Sequence, residues 1–354
     1  MKIVITGASG NIGTALLRSL SRTADRELIG IARRRPPLTQ EHYSRVRWIE
    51  CDIGEPAAVS VLTDTFTGAD AVVHLAWAVH PRRTDPPMDR TNTGGSAHVL
   101  RAVSAAGVAQ LVCASSVAAY TPTDRWRRVD EYQPRTGLPG SAYSRGKVAL
   151  EAELDAFEHR EPAIRVARIR PCAVVQGDAA AELGDWLFGP WLPRPLIGRR
   201  WTPVPLWKDL RLQLVHADDV AAAVRAIIEQ RAAGAFNLAV DPPLSVQMLA
   251  TTFGGFRAPV SRTILAAGAA AGWRLGLLPL HPAWLDLADR VCLVDSGKAR
   301  RELGWVPRYD AGAACNELAK KMHAGHAGRS GPLAPARPRV RFGRPTHQSQ
   351  NPLY

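Results

Sequence analysis

Met1-Lys-Ile-Val-Ile-Thr-Gly-Ala-Ser-Gly-Asn-Ile-Gly13 is the stretch on which the fold turns. Ile3, Val4 and Ile5 form an unbroken apolar run. Gly7, Gly10 and Gly13 follow at equal spacing, with Ser9, Asn11 and Ile12 between them. Thr14 to Leu20 then has helical periodicity. A strand, a tight glycine turn and a helix make a cradle for a nucleotide pyrophosphate at the edge of a parallel sheet. Glycines permit the turn and a close backbone approach. The helix start supplies free N–H groups and the positive end of its dipole. The spacing is G-x-x-G-x-x-G, not the commoner G-x-G-x-x-G. A glycine-rich turn that binds nothing is the competing reading, so the rest of the chain has to decide. The strand starts at Lys2, and the expectation is a mature domain with no targeting peptide ahead of it.

Outward from this turn, strand and helix patterns alternate. Leu28–Ala32 reads as a second strand, closed by Arg33-Arg-Arg-Pro-Pro37. Val46–Cys51 reads as a third, closed by Asp52, and Ala71–Ala76 as a fourth. Asn92–Ala106 is helical, Leu111–Ser116 is a fifth strand, and Tyr143–His159 is a long helix. Arg165–Arg170 is a sixth strand stopped by Pro171. This alternation predicts an α/β fold over residues 1–177, a doubly wound parallel sheet of Rossmann-like topology. Such sheets bind ligands at the C-terminal ends of their strands.

Residues 178–324 differ. Trp186, Trp191, Trp201 and Trp207 stand among prolines and glycines, which predicts a smaller substrate lobe, and Ala235–Ala239 returns to the sheet as a seventh strand. The longest apolar run, Ile264–Leu280, carries Arg274 and several glycines. It reads as a packed helix or an apolar lid rather than a membrane span. Lys298–Leu303 precedes a Gly304-Trp305 stop.

The 354 residues carry 45 Lys and Arg against 32 Asp and Glu, a net charge of +13. Five arginines without an acid lie at 329, 337, 339, 341 and 344, in a Pro- and Gly-rich tail from Gly325 that is expected to be disordered. The tail reads as solubilising rather than as a specific nucleic-acid site. Cys51, Cys113, Cys172, Cys292 and Cys315 are scattered and odd in number, which points to reduced thiols in a cytoplasm and to no zinc or other metal site.

Tyr143 and Lys147 share one face of the long helix, one turn apart. An ammonium beside a phenol favours the phenolate, so the tyrosine pKa is expected to fall from about 10 toward neutrality. A tyrosine so tuned exchanges a proton with a substrate hydroxyl or carbonyl. The same spacing also occurs on solvated helix faces, and gains weight only in company. Ser115 and Ser116 end the fifth strand, where a hydroxyl either bonds the same substrate oxygen or caps the strand end.

Further landmarks stand in order: Asp52-Ile53, His74-Leu-Ala76, Asn92 with Gly94-Gly95, Ala114-Ser-Ser116, Arg170-Pro171, Val215-His-Ala-Asp-Asp-Val220 and Ala299-Arg-Arg-Glu-Leu-Gly-Trp305. With the glycine turn and Tyr143-x-x-x-Lys147, the chain resembles the extended short-chain dehydrogenase/reductase superfamily, of the NAD-dependent epimerase/dehydratase type, from Met1 to Tyr309. The resemblance implies an enzyme with a Ser–Tyr–Lys site. Tyr143 would be the general acid/base, Lys147 would hold the nicotinamide ribose, and Ser116, with Ser115 as second choice, would polarise the substrate oxygen. It also implies Asp52 and Ile53 beside the adenine, Leu75 and Ala76 along the cofactor channel, and Asn92 in the same site. A homodimer through helices Asn92–Ala106 and Tyr143–His159 is a further implication.

An acid some twenty residues past the glycines would bond the NAD ribose, whereas an arginine accommodates a 2′-phosphate. Arg33 and Arg34 stand there, which favours NADP(H). The alternative is a solvated basic turn and NAD(H). The first expectation for function is hydride transfer between nicotinamide and a carbonyl or secondary alcohol. The second is a nucleotide-sugar epimerase with retained NAD, and the third a non-catalytic NADP(H) sensor. Sugar-nucleotide enzymes of this type carry an Asn after the sixth strand and an Arg before the later His strand. Here Arg170-Pro-Cys-Ala-Val-Val-Gln-Gly177 has no Asn, and Arg211 is one position out of register. The lobe tryptophans suit either a hydrophobic, ring-shaped substrate or the lobe's own core. His216, Asp218 and Asp219 read as lobe-packing and helix-capping residues.

Overall fold

The computed structural model describes residues 1–23, 25–79, 89–187, 193–278 and 281–334. Seven strands form one sheet: β1 (Lys2–Thr6), β2 (Glu27–Ala32), β3 (Arg47–Glu50), β4 (Ala71–His74), β5 (Gln110–Ala114), β6 (Arg165–Pro171) and β7 (Gly234–Leu238). Their order is β7-β6-β5-β4-β1-β2-β3, and every pairing is parallel. The chain therefore reverses its direction of travel across the sheet between β1 and β4. A crevice opens there, at the strands' C-terminal ends.

Period-two alternation sorts the strand residues between two cores. On one face Ile3 and Ile5 pack with Leu16, Leu17 and Leu20 of α1 (Asn11–Leu20) and with Val220, Val224 and Ile227 of the later helix Ala217–Gln230. On the other, Val4 and Val72 pack with α2 (Ala58–Phe66), α3 (Gly95–Ala105) and α4 (Ala142–Arg160) through Leu62, Phe66, Val99, Val103, Leu150 and Leu154. Parallel strands buried on both faces read as apolar runs. β6 breaks that rule, because Arg168 and Arg170 both point into the core, 4% and 2% exposed.

Their counter-charge is Glu151, one turn beyond Lys147 on α4 and 1% exposed. Arg170 grips it with two bonds, Nε to Oε1 at 2.7 Å and Nη2 to Oε2 at 2.8 Å. Arg168 and Arg135 reach Oε2 at 3.0 and 2.9 Å. Burial opposes ionisation of Glu151, but the Arg170 bonds and charge outweigh it and hold the carboxyl down at about 2. Arg170 also donates to the Tyr120 hydroxyl (2.9 Å), which donates to Asn237 Oδ1 in β7 (2.6 Å).

A third core lies in the smaller lobe, where Leu214, Leu244 and Leu249 pack on Leu318 and Met322. Among the helices that follow the sheet's last strand are Arg262–Arg274, Ala283–Arg290 and Ala311–His323. They are called α6, α7 and α8, with Ala217–Gln230 as α5. The lobe is not one continuous cut of chain, since α5 and Trp305 belong to the sheet core. The tail differs from expectation. Residues 325–334 are packed, with Ser330 and Leu333 wholly buried, because Ser330 and Gly328 find backbone partners on the sheet domain. Arg337, Arg339, Arg341 and Arg344 lie outside the described residues, as does Trp191. No described helix is long and apolar enough to cross a membrane.

Glu151→Ala strands buried guanidinium groups without their counter-charge. It is expected to cost about 3–5 kcal/mol of folding stability, read as a lower urea midpoint.

Candidate active site

The glycine turn is built by close packing. Gly7 has φ 69°, and a Cβ there would sit 2.6 Å from the Ala76 nitrogen. A Cβ on Gly13 would sit 2.4 Å from the Gly7 oxygen. The turn therefore closes on itself at Gly13 and on the end of β4 at Gly7. Gly10 caps α1 without a side-chain bond, and the first helical turn carries no acid. Its leading N–H groups thus face the crevice without a competing anion, which suits a diphosphate. The Asn11 side chain is spent elsewhere, donating to Val174 O (3.0 Å) and accepting from Gln176 (2.7 Å), and Gln176 also donates to its backbone oxygen (2.7 Å).

Residues around the turn brace the crevice as much as they line it. Asp52 accepts from Gly54 N (3.0 Å) and pairs with Arg90 at 3.0 Å. Ile53 is buried against Gly95. Leu75 N donates to Thr6 O, which fixes Leu75 and Ala76 beside the glycine turn. Asn92 does not point freely into the site. Its amide clamps both backbone groups of Ala78, at 2.7 and 2.9 Å, and so sets the loop after β4. Asn92 also lies in a π-type turn, Arg90–Gly94, ahead of α3 rather than in the α-helix itself. His74 is locked between Thr6 Oγ1 (2.7 Å) and Ser96 Oγ (3.0 Å), and burial lowers it to about 3, so it stays neutral. Arg33 and Arg34 are exposed at the end of β2.

Ser116, Tyr143 and Lys147 do come together. Ser116 ends the stretch after β5, is 6% exposed, and accepts from Ala118 N at 3.1 Å, so the strand-end cap is real. Its hydroxyl also faces the Tyr143 phenol. Ser115 is buried one residue earlier, its N–H on Ile169 O. Lys147 is 2% exposed and donates to Ala114 O at 2.9 Å. The expectation of an acidified tyrosine does not hold. Burial pushes the phenol up, the Ser116 bond opposes this, and Lys147 contributes nothing resolved. The reason is geometric. The Lys147 ammonium sits 5.9 Å from the Tyr143 ring centroid, with its own charge engaged by the Ala114 carbonyl and the Trp77 ring. Burial also depresses it to about 7, with Cys113 and Glu151 pulling weakly the other way.

Two aromatic walls were not read from the sequence. Trp77 lies over Lys147, with Nζ 3.4 Å from the ring centroid, and fills the space that Gly146 leaves. Its Nε1 is buried with no acceptor among the described residues. Trp284 of α7 packs on Tyr143 at 5.3 Å between centroids. The signal for Trp77 was its place directly after His74-Leu-Ala76. Trp284 stood in an apolar stretch with nothing to mark it. The tryptophans singled out earlier serve other ends: Trp207 is a core anchor bonded to Asp289 (2.8 Å), Trp201 is 60% exposed, and Trp186 is half-buried. His216 caps α5 by accepting from Asp218 N at 3.1 Å and stacks on Tyr309, and Asp219 caps Arg308 and Tyr309 backbone, as their spacing suggested.

The C-terminal stretch was also missed as part of this region. Ser330 Oγ donates to Ser9 O at 2.7 Å, within the glycine turn. Arg329 reaches Thr39 at 3.3 Å, and Gly331 lies against the Arg34 guanidinium. His326 bonds Asp178 at 3.0 Å, which pairs with Arg18 of α1 at 2.6 Å.

Comparison with known proteins agrees with this geometry. Residues 3–239 match the model of the NAD dependent epimerase/dehydratase family. An uncharacterised protein of Mycobacterium tuberculosis is 28% identical over 314 residues, covering 88% of this chain and 29% of that protein. The chain thus spans under a third of the length of the first such relatives. A ceramide reductase of Caulobacter vibrioides is 27% identical over 236 residues, 67% of this chain and 63% of its own length. Among solved structures, a UDP-glucose-4-epimerase of Stenotrophomonas maltophila with bound NAD superposes with a TM-score of 0.67 at 21% identity, over 92% of this chain and 98% of that one. Through its glycine turn, its seven-stranded parallel sheet and this match over most of its length, the chain belongs to the NAD dependent epimerase/dehydratase family.

Proposed function

We propose that the protein is an NAD(P)-dependent oxidoreductase acting on a carbonyl or secondary alcohol of an apolar substrate. The observation that carries this reading is the convergence of Ser116, Tyr143 and Lys147 between the Trp77 and Trp284 rings. The nicotinamide cofactor supplies the hydride chemistry when bound. The residues of this chain do the rest. The α1 N-terminus and the glycine turn hold the diphosphate. Ser116, already fixed by its Ala118 bond, donates a hydrogen bond to the substrate oxygen and keeps its proton. Tyr143, kept protonated by burial, gives that oxygen its proton on reduction and takes it back on oxidation. Lys147 holds the ribose and supplies charge beside the tyrosine.

An apolar substrate follows from what the site offers. Arg211, the nearest candidate for a sugar-nucleotide diphosphate, is buried and spends its donors on the carbonyls of Arg125, Asp289 and Val291. The aromatic walls and the ceramide reductase relative support a lipid-like carbonyl compound. The epimerase fold neighbour keeps the second reading, a nucleotide-sugar epimerase, in play. An oxidoreductase changes the near-ultraviolet absorbance of nicotinamide stoichiometrically with substrate and releases its cofactor on purification. An epimerase does neither. For the cofactor we favour NADP(H), on Arg33 and Arg34 at the end of β2, with NAD(H) as the alternative.

Three outcomes are expected. Tyr143→Phe lowers turnover by about two to four orders of magnitude with dinucleotide affinity unchanged. Full activity in that variant removes the assignment. Arg33→Ala with Arg34→Ala weakens NADPH binding by roughly tenfold or more and leaves NADH binding alone, measured by fluorescence titration. The third concerns Lys147, at about 7 when folded against an ordinary 10.5. Between those values the unfolded chain holds a proton that the folded one lacks, so stability rises with pH, and the cost of the buried charge is full below 7. Lys147→Met should therefore raise the melting temperature at about pH 6 and lose that advantage near pH 10, in a calorimetric pH series.

A further inference from the structure

Two stretches of the smaller lobe are rich in cations and free of acids. Residues 193–208 carry Arg194, Arg199, Arg200 and Lys208, and residues 254–278 carry Arg257, Arg262 and Arg274. They are neighbours in space, because strand Pro203–Leu206 pairs in parallel with strand Phe256–Pro259. Among the described residues, acids from elsewhere pair with Arg262 (Asp286 at 3.1 Å and Asp289 at 3.5 Å) and with Arg194 (Asp185 at 3.8 Å).

On the same stretches large apolar side chains face solvent. α6 runs for 13 residues from Arg262 to Arg274 with no charge between its two terminal arginines, and none of its residues is buried. Leu265 leans on the lobe core, but Ile264 is 66% exposed, and Leu275, just past the helix end, is 73% exposed. Phe256 and Trp201, on or beside the paired strands, are 49% and 60% exposed. Among the described residues, this longest apolar run is therefore only partly packed. It is an exposed apolar element edged by arginines, and such a surface marks a partner.

A second copy of the chain would set one cationic face against another, which like-charge repulsion opposes. Nucleic acid would leave the apolar side chains wet. A bilayer with anionic headgroups satisfies both features: hydrocarbon for Ile264 and Leu275, the interfacial layer for Trp201, and phosphates for the arginines. At 1.5 Å per residue α6 is only about 20 Å long, too short to cross a core of about 30 Å, so it lies in the plane of the interface. We propose that α6 and the flanking strands dock the smaller lobe on an anionic membrane surface. The Arg262–Asp286 pair ties α6 to α7, which carries Trp284 against Tyr143, so the docking face adjoins the proton-transfer site. The proposal does not depend on which redox reaction that site performs.

The test is co-sedimentation of the full chain with phosphatidylcholine vesicles, with or without about one third phosphatidylglycerol. The protein is expected to pellet with the anionic vesicles, to stay in solution with phosphatidylcholine alone, and to be released as salt rises to about 0.5 M. Ile264→Glu with Leu275→Glu should weaken pelleting by about tenfold or more. Arg199→Glu with Arg200→Glu should erase the preference for anionic lipid. All four side chains are exposed, and an unchanged melting temperature certifies each variant as folded. Failure to pellet with anionic vesicles at low salt overturns the proposal, as does undiminished pelleting of both folded variants. Light scattering that finds a dimer split by the Ile264 and Leu275 changes also overturns it, and assigns the face to a second copy.

Discussion

A single buried carboxylate, Glu151, holds the rest of the site in register. The three functional side chains come from different places: Ser116 from the end of β5, Tyr143 and Lys147 from successive turns of α4. Nothing in the backbone of either element fixes how far α4 slides along the sheet. The Glu151 clamp does, because Arg170 grips both carboxylate oxygens in a geometry that tolerates little translation. Through Tyr120 the same guanidinium reaches Asn237 of β7, and through Glu131 O it reaches the loop beyond β5. Two arginines inside a central strand are costly to desolvate. Here they tie α4 to β6, alongside the bonds from Lys147 to Ala114 O and from Ser144 to Ala118 O that tie it to the end of β5.

The sheet was legible because each strand is a short apolar run with a clear stop, and because the glycine turn fixes where the first crossover begins. The tyrosine and lysine were legible through their spacing. What the residues around them do was less so. Asn92, Asp52 and His74 are among the landmarks that carry the family resemblance, yet each spends its side chain on a neighbouring element. Spacing along a chain reports which residues meet a region, not which way a side chain is spent. The arginine pair at 168 and 170 did leave a trace, as charge at alternate positions in a strand that should be apolar, and that anomaly calls for a buried acid. The acid itself could be guessed only as another residue on the Lys147 face of α4. Trp284 left no trace at all, because its partner is 141 positions away in sequence and the contact exists only when the lobe folds onto the sheet.

The tyrosine illustrates how burial and neighbouring charge compete. The same enclosure that brings Lys147 near Tyr143 also strips both of water. Desolvation disfavours the charged form of each, phenolate and ammonium alike. A site that is dry before its ligand arrives therefore stores a neutral tyrosine and a weakened lysine. Charge pairing between them gains strength only when a substrate oxygen draws the proton.

The Ser330–Ser9 bond joins residues 321 positions apart. The glycine turn is thus flanked by a segment very distant from it in sequence. That segment, with Ser330 and Leu333 buried, covers the flank of the turn beside Ser9, Thr14 and Tyr43. Contacts of such separation form late in folding. The end of the sheet that carries the glycine turn is therefore closed in part by a contact that the sheet itself does not supply, and loss of the segment after residue 326 would uncover that flank.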